Sequence, residues 1–74
     1  MADHVLTEDE EKFLQDNKQM IVDLAKNEFA GHIKHHQRTI MEAIAWKVNG
    51  RSFPICWTCG GSTRQVGRLL NSRL

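Results

Sequence analysis

The sequence predicts a small all-α domain of three helices, with a cysteine-containing loop between the second and the third. Three observations carry that prediction. Apolar residues recur at helical spacing in three separate segments. Two strings that open with Thr or Ser have capping-box form ahead of such segments. The single proline and the Asn49-Gly50 and Gly60-Gly61 pairs fall between segments, where helices stop. At 74 residues the chain holds one domain, 1–74, with 1–6 as a flexible tail. A barrel or a doubly wound sheet needs more chain than this. Domains of this size often take a metal, a disulfide or a partner subunit as support.

The first helix is expected over roughly residues 8–30. Thr7-Glu8-Asp9-Glu10 reads as a capping box, and its acids suit the positive end of the helix dipole. Phe13, Leu14, Met20, Ile21 and Leu24 then share one face. Asn17 falls inside that stripe, which leaves a break near Asp16-Asn17 as the alternative to one continuous helix. Gly31 reads as the stop. The second helix runs from about His32 to Val48, with Ile33, Ile40, Met41, Ile44 and Val48 on one face. Asn49-Gly50 ends it as a left-handed cap. Arg51 to Ile55 is expected to be extended, because Pro54 biases Phe53 away from the helical region.

Cys56-Trp57-Thr58-Cys59-Gly60-Gly61 reads as a tight turn. Ser62-Thr63-Arg64-Gln65 has the form of a second capping box, with Ser62 as the cap. The third helix, roughly 63–72, carries Val66, Leu69 and Leu70 on one side and Arg64 and Arg68 on another. Gly67 in its middle costs about 1 kcal/mol against Ala, a cost that makes sense where another backbone passes close.

The net charge of +1 hides a segregation. Residues 1–42 hold all nine acids and five bases, a net −4. Residues 43–74 hold Lys47, Arg51, Arg64, Arg68 and Arg73 and no acid, a net +5. No apolar run is long enough to span a membrane, and Met1-Ala2-Asp3-His4 lacks the blocks of a signal peptide. A cytoplasmic location is therefore expected. No phosphate-binding glycine motif and no internal repeat occur.

Cys56-x-x-Cys59 is the sharpest local feature. Two thiolates at this spacing can grip one Zn²⁺, and a following glycine lets the turn aim its amides at sulfur. Tetrahedral zinc needs two more ligands, and with no other Cys in the chain the histidines supply candidates. His32 and His36 stand four apart, which on a helix places both on one face, whereas His35 points away and His4 is the reserve. From His36 to Val48 a helix rises about 18 Å. Residues 49–55 can return at most about 23–25 Å, so closure needs a nearly straight return or a site shared across a homodimer. Two other readings stay open: buried cysteines that pack as small hydrophobes, and a redox pair ahead of a helix. Redox enzymes with this motif carry it on a βαβ scaffold, for which the sequence offers no pattern.

The bases of the last third form the electrostatic pattern of a nucleic-acid or acidic-protein contact. The alternative is pairing with the acidic first helix, within the chain or between subunits. Ser62 to Leu70 resembles helices that enter the major groove in helix-turn-helix proteins, but the second helix ends some fourteen residues upstream, too far for the full motif. Trp46 and Trp57 read as packing residues. With no Tyr and three Phe, stacking on single strands has little support.

Cys56-Trp57-Thr58-Cys59 followed by Arg64, Arg68, Leu69 and Leu70 resembles the end of small phage-encoded helical proteins, in which a CxxC turn precedes a short basic amphipathic helix. The resemblance covers about 20 of the 74 residues. It implies an accessory or regulatory protein that binds a host or virion component, and it transfers no active site. Gly60-Gly61 departs from that pattern, in which the helix begins straight after the second cysteine, and favours a knuckle-like metal turn.

An enzyme is not expected, because a three-helix chain of this size has little room for a pocket with convergent titratable groups. The expected function is docking onto a larger protein machine, in host transcription or in the virion. The runner-up is a DNA- or RNA-binding regulator that uses Arg64, Arg68 and Arg73.

Overall fold

Thr7 opens the first helix as its sequence predicts. Its Oγ1 accepts from the Glu10 amide at 3.1 Å, and Glu10 Oε1 accepts from the Thr7 amide at 2.9 Å. The computed structural model describes residues 5–74, so His4 and most of the expected tail lie outside the described residues. The described residues form four helices and no strand: α1 (Glu8–Asp16), α2 (Lys18–Ala25), α3 (His35–Asn49) and α4 (Gly60–Asn71). The all-α class therefore holds, and the count of three is corrected to four. Leu6, assigned to the tail, is half-buried against the core.

The extra helix arises at Asn17. Its Nδ2 donates to the Phe13 carbonyl at 2.9 Å, the same oxygen that its own backbone amide reaches at 3.0 Å. Its φ of −120° and ψ of 27° leave the helical region and separate α1 from α2. An asparagine side chain that competes for backbone partners is the physical cause.

The stop near residue 30 is also corrected. α2 ends at Ala25 because Asn27 takes φ +59°. The Asn27 amide donates to Leu24 O at 3.0 Å, and the Glu28 amide donates to Asp23 O at 2.8 Å. Those two bonds form a Schellman motif with asparagine in the left-handed position usually held by glycine. The chain from Glu28 to Lys34 is then a linker, tied down by the buried Ile33.

α3 starts at His35 rather than His32. Gln37 Oε1 accepts from the Lys34 amide at 2.9 Å and so caps its first turn. Gly50 ends it at φ +87°, as the Asn-Gly pair predicts. Trp46 Nε1 donates to Phe53 O at 2.8 Å and pins the return loop to α3.

The apolar stripes converge as their spacing requires. Leu14, Ile21, Leu24, Ile33, Met41, Ile44, Val66 and Leu70 are buried, and Phe13, Met20, Ile40, Val48 and Leu69 pack around them. Ala45, too small to stand out in the periodicity, is also fully buried. α4 lies against both α2 and α3, and at Gly67 it comes close to the α2 backbone. A Cβ there would stand 2.5 Å from the Ala25 backbone nitrogen and 2.7 Å from the Leu24 carbonyl carbon. The glycine in mid-helix is thus explained by the passing α2 backbone.

Candidate functional site: the cysteine turn and the basic helix

The two candidate sites meet at α4. The turn that precedes it is built from local hydrogen bonds. The Cys59 amide donates to Cys56 O at 3.1 Å, and the Cys56 amide donates to Ser62 Oγ at 2.9 Å. Ser62 is therefore committed to the turn and does not cap the helix. Cys59 itself is the N-cap residue, with no side-chain hydrogen bond to the first-turn amides, and no acid sits in that turn. α4 begins at Gly60, straight after the second cysteine, which corrects the expected start near residue 63.

Cys56 and Cys59 are joined in a disulfide, and both residues are exposed. The reading of two buried cysteines is corrected by that exposure. Thr58 Oγ1 stands 3.4 Å from Cys56 Sγ. Beside the turn lies a cavity of about 310 Å³, lined among others by Phe29, His32, Arg38, Trp57 and Cys59. No carboxylate of the described residues lines it. Arg38 Nε is buried without a hydrogen-bond partner among the described residues.

The four expected zinc ligands are only partly brought together. Cys56 and Cys59 are adjacent, and His32 reaches the cavity that Cys59 lines. His36 is exposed in the first turn of α3 and does not line that cavity. His32 lies in the linker before α3, so the two histidines do not share a helix face as the spacing argument assumes. Among the described residues no group of three or more His, Cys, Asp or Glu side chains converges on one point.

The basic residues divide into two classes. Lys47 Nζ donates to Glu10 Oε1 at 2.7 Å, linking α3 to the capped start of α1. That ion pair is the only one among the described residues. Glu10 is itself buried at 7% exposure. Burial pushes its carboxyl pKa up, but the Lys47 ammonium and the Thr7 amide and hydroxyl outweigh burial and hold it below the ordinary glutamate value. Arg51, Arg64, Arg68 and Arg73 are exposed. Arg64 and Arg68 occupy the outer side of α4, opposite the buried Val66 and Leu70. Lys47 was readable as basic from the sequence, but its partner Glu10 was not, because the pair joins residues 37 positions apart.

No helix of the described residues is long and apolar enough to cross a membrane. Comparison with protein-family models, with curated proteins and with solved structures finds no match for this chain.

Proposed function

We propose that this chain is a small accessory protein that docks on an acidic surface of a larger protein assembly through the outer side of α4. One observation carries the reading. The acidic and basic parts of the chain do not neutralise one another on folding: only Lys47 finds a carboxylate among the described residues, while Arg64 and Arg68 stay exposed on one helix face. Two guanidiniums held on a rigid helix meet a carboxylate-bearing surface with forked, charge-assisted hydrogen bonds. The resemblance of the last third to small phage-encoded proteins makes host transcription and virion components the targets to test first.

A DNA- or RNA-binding regulator is the alternative reading, and the same arginines support it. The spacing favours the protein partner, since no helix precedes α4 at helix-turn-helix distance and α3 ends at Asn49. Affinity capture with the wild type and with an Arg64→Glu/Arg68→Glu variant, each after nuclease treatment, tests the proposal. Specific proteins retained by the wild type and lost by the variant are expected. Material that disappears with nuclease, and whose binding falls steeply with salt, would reverse the ranking.

A further inference from the structure

The disulfide raises a question that docking does not answer. A structural disulfide ties together parts of the chain that would otherwise separate. Cys56–Cys59 ties nothing: it spans three positions, with Cα atoms 5.3 Å apart, inside a single turn. That turn already stands without it. The Cys59 amide bonds Cys56 O, the Cys56 amide bonds Ser62 Oγ, and the Thr63 amide bonds Cys59 O at 3.1 Å. Trp57 packs on the core between the two cysteines. None of these contacts uses the sulfur–sulfur bond. Both cysteines are exposed, and one of them borders an open cavity.

We infer that Cys56 and Cys59 form a redox-active pair that exchanges with the thiols of a protein or peptide substrate. The two sulfurs are not equivalent. Cys59 occupies the N-cap of a twelve-residue helix whose first-turn amides have no side-chain acceptor. It also shares its cavity with Arg38 and with no carboxylate of the described residues. A departing sulfur anion is better accommodated at Cys59 than at Cys56. A substrate thiolate therefore attacks Cys56 Sγ. The Cys56–Cys59 bond breaks, a mixed disulfide forms between Cys56 and the substrate, and the electron pair leaves on Cys59. A second substrate thiolate then attacks the substrate's own sulfur in the mixed disulfide. It releases Cys56 as a thiolate, leaves the substrate disulfide, and the two cysteine anions take up protons from solvent. A low-molecular-weight disulfide such as oxidised glutathione regenerates the pair by the same two exchanges in reverse.

Incubation of the full chain with millimolar glutathione buffers of graded redox ratio, in chelator, tests the inference. The expected result is reversible conversion between disulfide and dithiol with unchanged helical circular dichroism. Cys59→Ser, which leaves Cys56 alone, is expected to hold glutathione as a mixed disulfide at least about tenfold more than Cys56→Ser at equilibrium. A pair that resists glutathione until the protein unfolds would overturn the inference. So would reduction that melts the helices, or equal trapping by the two variants, provided both variants retain the wild-type circular dichroism.

Discussion

Glu10 shows how one side chain can serve two levels of structure. It closes the capping box of α1 and receives Lys47 from α3, so the start of one helix is fastened to the end of another. The capping role was legible in the spacing of Thr7 and Glu10. The ion pair was not, because nothing local in the sequence connects residues so far apart. Glu10→Gln keeps an acceptor for the Thr7 amide but leaves Lys47 unpaired, and a loss of about 1–2 kcal/mol is expected in urea unfolding. The pH dependence has a definite sign. A carboxyl held below its ordinary value of 4.5 contributes stability above that value and loses it as pH falls through the folded value. Unfolding midpoints at about pH 6 and about pH 3 should therefore differ more for the wild type than for Glu10→Gln. A variant with the same pH dependence as the wild type would contradict the pair. The cysteines give a second prediction at this scale. With both sulfurs bonded to each other, protein purified oxidised and without chelator is expected to carry no stoichiometric zinc. Zinc at one per chain, lost in Cys59→Ser, would restore the four-ligand reading of Cys56, Cys59, His32 and His36.

Among the elements, α4 is the one whose two sides do different things. Its inner side is fixed by Val66, Gly67 and Leu70 against α2 and α3. Gly67 was readable as a close approach from its cost alone, and the nearby α2 backbone bears that out. Gly67→Ala would gain about 1 kcal/mol in helix propensity on an open surface. Here the added methyl meets backbone atoms that cannot rotate away, and a net loss of about 1–3 kcal/mol is expected. A stabilised variant in thermal unfolding would contradict the packing. Boundaries were less legible than faces. The apolar stripes placed the core correctly, and Asn17 inside the first stripe marked the break that the structure shows, offered there only as the alternative to one helix, whereas the stop at Asn27 left no trace in the periodicity. Both asparagines act through local chemistry, a side chain competing for a carbonyl in one case and a left-handed backbone in the other. Asn27 can be replaced by Gly with little change, while Asn27→Val should cost about 1–2 kcal/mol in the same measurement.

For the molecule as a whole, the decisive property is that folding leaves the charge segregation in place. Four helices close around a core that leaves only Val5 and Leu74 as exposed large apolar side chains among the described residues. What the surface offers a partner is charge rather than apolar area. The proposed docking requires that Arg64 and Arg68 be spare to the fold. Urea unfolding of the Arg64→Glu/Arg68→Glu variant at low ionic strength tests this most directly. A stability within about 0.5 kcal/mol of the wild type is expected, as for surface positions without a partner. A loss well above 1 kcal/mol would mean that these arginines pair with the acidic half of their own chain, and would contradict the claim.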